Sequence, residues 1–275
     1  MRQKAKPSPV DRHRITAIDR AMDVLANLER RADGASIRDL VAALALPRTS
    51  VYRILNSLET HGMVRRSGEG GYRLGPRLLG LAARAASEGQ RYDVAALAMP
   101  HLRKLAGELG EACKVSVLDA SGVLVLAAIQ GSREFALSVV AGQRLPLHAG
   151  AASKVLMASL TADDLDGALE TPLTAYTSRT IVDRRRLRVE LAKVRRQGFA
   201  ADKGEYAPSV HAFAAPIRDP SGNVVAALSV PYLAGVETSR SEEIRLAVID
   251  AAEAIAAEIS TKAGRRARAE AVEMA

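Results

Sequence analysis

Arg48, Thr49, Ser50, Tyr52, Arg53, Asn56 and Ser57 fall within ten residues of this 275-residue chain. Together they offer guanidinium, hydroxyl and amide groups, the donors and acceptors that bind phosphates and read base edges. Arg65, Arg66 and Arg73 follow closely. They are placed to lie along a polyanionic backbone.

Such groups need a rigid element to present them. Val51, Ile54, Leu55 and Leu58 form the apolar stripe of a helix carrying the first set, and Gly62 stands where a helix ends on a left-handed residue. A shorter helix precedes it. Its start, at about Ile37, is marked by Ser36 with an acid, Asp39, three residues on, and Ile37, Leu40, Val41 and Leu44 repeat at helical spacing until Leu46-Pro47 breaks it. Two short helices and a turn read as a helix-turn-helix; the competing reading is a plain helical hairpin with a solvated face. Context favours the first. Met63–Arg66 and Tyr72–Leu74 are strand-like runs around Ser67-Gly68-Glu69-Gly70-Gly71, a β-hairpin that would form the wing of a winged helix.

Charge is distributed accordingly. Residues 1–92 hold 17 basic and 9 acidic side chains, so the whole net charge of +8 sits there and the remainder, with 22 of each sign, is neutral. A basic first third joined to a neutral remainder is the pattern of a nucleic-acid-binding domain attached to something that does not bind nucleic acid. No helix pairs a basic face with a Trp/Phe/Leu face, which argues against a membrane surface. No apolar run approaches the roughly 20 residues that span a bilayer, and the charged, proline-bearing start lacks an apolar signal segment, so a cytoplasmic protein is expected. A single cysteine, Cys113, leaves no internal disulfide and no cysteine zinc site. It is expected to be a small buried residue.

The domain plan is a disordered basic arm over 1–11, with Arg12 and Arg14 just beyond it, and a winged helix over 12–75. A linker helix follows over 76–90, a second domain over 91–262 and a tail over 263–275. Ile15, Ile18, Met22, Leu25 and Leu28 predict a first helix of about 16 residues packed behind the helix pair. Leu78, Leu79, Leu81 and their alanine neighbours predict the linker helix, which could pair with its twin in a dimer. In the second domain, a helix near Tyr92–Gly110 precedes strands at Lys114–Leu118, Val123–Ile129 and Phe135–Val140. Helices at Ala149–Leu160, Thr161–Leu169 and Asp183–Gln197 follow, then a short strand at Phe199–Ala201, a hairpin of Val210–Ile217 and Val224–Val230, and a last helix over about Ser241–Ser260. Strand hairpins separated by helices argue an α+β domain with an antiparallel sheet.

At this point the chain resembles the IclR family of transcriptional regulators. Leu46-Pro47-Arg48-Thr49-Ser50-Val51-Tyr52-Arg53-Ile54-Leu55 is similar to the family's recognition-helix signature, and Gly62-Met63-Val64 with Tyr72-Arg73-Leu74-Gly75 to its wing. Leu147-His148 through Lys154-Val155-Leu156-Met157-Ala158 resembles its Leu-His-x5-Lys-x-Leu-x-Ala segment. Gly198-Phe199-Ala200 to Glu205-Tyr206, Ala214-Ala215-Pro216-Ile217 and Ala227-Leu228-Ser229-Val230 resemble its C-terminal signature. The resemblance implies a winged helix-turn-helix, a linker helix and a GAF-like effector domain whose antiparallel sheet is flanked by helices. It also implies operator DNA as partner and a homodimer or homotetramer.

For the effector, the resemblance implies a small organic acid docked on the amides at Ala151 and Ala152, with Asp202 and Ser229 as polar walls and Ala212 where some relatives have cysteine. A helix start is a sensible anion site in its own right. Ser153 replaces the glycine usual before Lys154, and Gly204 the first of a Glu-Glu pair; the lean is towards an aromatic or hydrophobic acid. Regulation by repression of catabolic genes is the expectation. Two rival readings remain: a ligand-independent DNA-binding protein, and an enzyme using His148, Lys154, Asp202 and Ser229. The enzyme lacks support from any nucleophile elbow, metal-spaced histidine pair or phosphate loop, so no catalytic residue, metal or cofactor is expected.

Overall fold

The computed structural model describes residues 15–31, 33–68, 70–81, 93–119 and 122–273, with side chains to 264. Residues 77–81 are helical, while the rest of the expected linker helix, 82–90, the basic arm, Arg12 and Arg14 lie outside the described residues. The chain divides into two units, 1–90 and 91–275.

The first unit is helical with a small sheet. Helix α1 (Thr16–Glu29), α2 (Ile37–Leu44) and α3 (Arg48–Thr60) pack around Val24, Leu25, Leu28, Leu40, Val51 and Leu55. Local chemistry sets the boundaries. Ser36 caps α2, accepting from the Asp39 amide at 3.2 Å while Asp39 accepts from the Ser36 amide at 3.0 Å. This hydrogen bonding holds the exposed Asp39 carboxyl below its ordinary range. At the end of α3 the Gly62 amide donates to Glu59 O (2.9 Å) and the Met63 amide to Leu58 O (2.8 Å), with Gly62 at φ +69°, a Schellman ending. Strands β1 (Val64–Arg66) and β2 (Tyr72–Leu74) pair antiparallel with Arg65 opposite Arg73. Ala35 adds a single antiparallel bridge to Tyr72.

Helix α1 corrects one expectation. It has 14 residues, and Ile15, Ile18 and Met22 are 62%, 57% and 58% exposed, so the inner stripe is Val24, Leu25 and Leu28 instead. The N-terminal half of the predicted stripe points away from the helix pair.

The second unit has three layers. A six-stranded antiparallel sheet has the order β5-β4-β3-β8-β7-β6, built from β3 (Cys113–Asp119), β4 (Gly122–Ile129), β5 (Arg144–Leu145), β6 (Ala200–Lys203), β7 (Val210–Arg218) and β8 (Val224–Leu233). One face carries Val115, Val117, Phe213, Ala215, Ile217, Leu228 and Val230. These pack on α4 (Val94–Leu109), which contains Pro100, and on the long α8 (Thr238–Glu273). Cys113 belongs to this layer, and burial pushes its thiol up to about 12, which makes it inert. The other face packs on α5 (Ala151–Ala158), α6 (Ala162–Glu170) and α7 (Arg184–Gln197). Thr161 and Asp183 cap α6 and α7 by accepting from the Asp164 and Arg186 amides.

Two further expectations change. Phe135–Val140 is not a strand; Phe135 is 75% exposed, and the Val139 amide donates to the Gln130 side chain (3.3 Å) instead of joining a ladder. The last helix starts at Thr238 and runs to Glu273, through most of what was expected to be a tail.

Candidate DNA-reading face and effector pocket

Three residues, Ala45 to Pro47, separate α2 from α3, and Ala45 takes a left-handed φ of 51° to make the turn. No side chain caps α3, whose backbone bonds begin with the Ser50 and Val51 amides donating to Pro47 O. Its first amides are therefore open to an anion such as a phosphate. Arg48, Tyr52 and Asn56 then recur at i, i+4 and i+8 on one face, with Thr49, Arg53 and Ser57 beside them. Arg48, Thr49, Tyr52 and Arg53 are exposed, and Ser50 and Asn56 half-buried. Arg53 also borders a groove shared with Arg20, Ser50 and Ser57.

The wing's arginines differ among themselves. Arg66 pairs with Glu59 at 3.2 Å and covers the Tyr72 ring, and Arg73 donates to Asp33 O at 3.2 Å. Among the described residues Arg65 has neither kind of partner. Arg65 sits directly across from Arg73, and like charges opposed on a hairpin repel unless an anion lies against them.

In the second unit the register fixes which residues share the inner sheet face. Asp202 pairs with Ala212, Ala214 with Ser229, and Ser229 with Lys114, so these residues face the α5 layer together with Ser116, Ala200 and Ala227. Helix α5 starts after Gly150 (φ +110°) with no side-chain cap, leaving its first amides free. A Cβ at Gly150 would come within 4.0 Å of Asp202 Oδ2, which sets that carboxylate beside the helix start. The structure therefore brings Ala151, Ala152, Asp202, Ala212 and Ser229 into one layer, every one of them buried. Asp202 Oδ1 accepts from the Glu205 amide at 2.6 Å, yet burial outweighs that bond and raises its pKa. Among the described residues, the buried Ser116 and Ser229 hydroxyls have no hydrogen-bond partner. An unmet buried hydroxyl costs about 1–3 kcal/mol, a cost a bound polar ligand can remove.

Residues 87–257 match the family described as bacterial transcriptional regulator IclR, C-terminal, and residues 17–68 match the IclR helix-turn-helix domain. The chain belongs to the IclR family of transcriptional regulators. It is 36% identical over 201 residues to the regulator TtgV of Pseudomonas putida, covering 73% of this chain and 75% of that one. It is 28% identical to the repressor AllR of Escherichia coli, covering 84% and 86%. Among solved structures it is similar to an IclR homologue from Microbacterium hydrocarbonoxydans complexed with 4-hydroxybenzoate, at 28% identity and TM-score 0.74, covering 88% of this chain and 98% of that one.

The IclR-type Lys154 segment has a clear structural job here. Lys154 is 1% exposed, and its Nζ donates to Glu190 (3.1 Å), Ala201 O (2.6 Å) and Glu205. It ties α5 to α7 and to the end of β6. The two departures from the family pattern also have physical roles: Ser153 Oγ donates to Pro146 O at 2.6 Å, and Gly204 takes φ +87°, where a Cβ would lie 2.8 Å from Pro208 O. His148 Nε2 donates to Thr174 O at 2.9 Å and its ring lies against Tyr176. Lys114 and Ser116 were missed as members of the inner face. The alternation Lys114-Val115-Ser116-Val117 does place two polar residues on one face, but the same pattern describes an ordinary solvated face until α5 is seen to cover it.

Proposed function

We propose that this regulator is a repressor of catabolic genes that binds operator DNA through α3 and the wing and releases or reorganises on it when a small organic acid enters the α5 layer. The observation that carries this reading is the buried inner face, which holds a free helix start and two hydroxyls unpartnered among the described residues, in a unit without the basic excess of the first. The Microbacterium relative's complex with 4-hydroxybenzoate supports an aromatic acid as effector. Asp202 beside the helix start is compatible with an acid, because a carboxyl with a raised pKa can share a proton with the ligand's carboxylate. The reading makes the protein a binder, with no catalytic step assigned to any residue, acting where the DNA is.

Ala151, Ala152, Asp202, Ala212 and Ser229 are proposed as the effector set. Arg48, Thr49, Ser50, Tyr52, Arg53, Asn56, Arg65, Arg66 and Arg73 are proposed as the DNA set. A homodimer or homotetramer on a roughly palindromic site fits the exposed Ile15, Ile18 and Met22, an apolar stripe that a second copy can cover.

Arg53→Ala should weaken operator binding by about 1–3 kcal/mol while barely changing binding to random DNA, whereas Arg65→Ala should weaken both equally. Fluorescence anisotropy on the two DNAs at fixed salt checks this, and equal losses for Arg53→Ala would remove it from base reading. The function itself is tested by titrating the full-length protein onto its own promoter fragment with and without aromatic and aliphatic acids. At least one acid should shift the DNA Kd by about 5–150-fold; no shift with any acid, although operator binding is tight, would favour a ligand-independent DNA-binding protein.

A further inference from the structure

Across the inner face from Asp202 the sheet carries a second polar group that the effector set above does not use. Lys114 lies on β3 opposite Ser229, and Ser116 follows two residues on, on the same face. The hydroxyls of Ser116 and Ser229 are buried and, among the described residues, unpartnered, with residue exposures of 0% and 1%. Lys114 is half-buried, and among the described residues its ammonium has no hydrogen bond or ion pair. Its cross-strand neighbours on that face are Ala128 and Ser229, and the carboxylate that acts on it electrostatically is that of Asp202. A cation and two hydroxyls without acceptors form a site for anionic oxygen.

We propose that Lys114, with the hydroxyls of Ser116 and Ser229, binds a second acidic group of the effector, so that the pocket prefers compounds with two anionic oxygen groups over those with a lone carboxylate. This rests on the effector pocket proposed above and names its ligand class. The first acidic group takes the free amides of α5. The second sits at β3. Three strand spacings, about 14 Å at the backbone, separate the strands of Asp202 and Lys114, and the long lysine side chain spans much of that distance. A benzene ring with a carboxylate at each end is a rigid ligand of this class.

The cost of keeping Lys114 here supports a ligand role. Burial pulls its pKa down to about 8, with Asp202 only partly restoring it, so the free protein holds a poorly solvated charge. An uncompensated charge of this kind is destabilising until an anion arrives.

The test uses full-length protein, isothermal titration calorimetry and two matched probe pairs: benzoate against terephthalate, and hexanoate against adipate. In the wild type each diacid should bind at least tenfold more tightly than its monoacid. Lys114→Met should abolish that ratio, leave the monoacid Kd within twofold and raise the Tm of the ligand-free protein; Lys114→Arg should keep most of the ratio. Ser116→Ala, a smaller change, should lower it severalfold. An unchanged ratio in Lys114→Met, or a wild type that prefers monoacids, overturns this inference. Ala212→Leu, which fills the layer between the two groups, separates the two readings. If it abolishes binding of both acids while Lys114→Met leaves the ratio intact, only the second-anion site fails. If Ala212→Leu binds both as the wild type does, or the wild type binds neither, the pocket itself is misplaced and this inference falls with it.

Discussion

Lys154→Ala is expected to destabilise the second unit by about 3–5 kcal/mol, the loss typical of removing one partner from a buried ion pair. The lysine is 1% exposed, and it alone neutralises Glu205, which is 7% exposed with Oε2 unpartnered among the described residues. Without it, two carboxylates and the Ala201 carbonyl lose a donor inside the protein. The pH dependence has a definite sign. Burial raises the Glu205 pKa above its ordinary 4.5, opposed by Lys154, so removing Lys154 raises it further. An acid whose native pKa exceeds its unfolded one binds protons more readily when folded, so stability falls as pH rises through that window. The deficit of Lys154→Ala should therefore shrink as pH is lowered from neutrality towards 4.5. The double variant Lys154→Met/Glu205→Gln should recover part of the loss at pH 7. Urea denaturation across pH measures all of this; a deficit under about 1 kcal/mol, or one that does not vary with pH, would make the pair a surface contact in energetic terms.

Filling the inner face should disconnect the effector from the DNA. Ser229→Leu and Asp202→Leu each place a bulky apolar side chain where the proposed ligand sits, and both residues are in the second unit, far in sequence from α3 and the wing. Operator affinity without ligand is expected to stay within about twofold of wild type, while the 5–150-fold response to acid, about 1–3 kcal/mol of coupling, disappears. Anisotropy titrations with each variant measure both quantities. A wild-type response in both would place the pocket elsewhere.

Much of the first unit was legible because its signals are local. Ser36 with Asp39, Leu46-Pro47 and Gly62 each act within a turn or two of backbone, and they define α2, the turn and α3 whatever else surrounds them. The apolar run at Phe135–Val140 misled for the opposite reason: strand formation needs a neighbour to accept its backbone bonds, and there the Gln130 side chain takes that place. Ile15, Ile18 and Met22 repeat at the helical spacing of a core stripe, but periodicity cannot distinguish a face buried within the fold from one left exposed. In the proposed effector layer, spacing alone supplied little. Asp202, Ala212 and Ser229 lie on three strands and meet only through sheet register, so the family resemblance named them and the structure showed what lies between. Lys114 had neither aid.

If one protein couples an acid to an operator, thermodynamic linkage makes the coupling reciprocal. The direct measurement is therefore the Kd of one confirmed acid for the full-length protein, by calorimetry, first free and then saturated with operator DNA. Operator is expected to weaken acid binding by the same factor, within error, by which the acid weakens operator binding. Equal acid affinities in the two states, for an acid that binds the protein tightly, would contradict it.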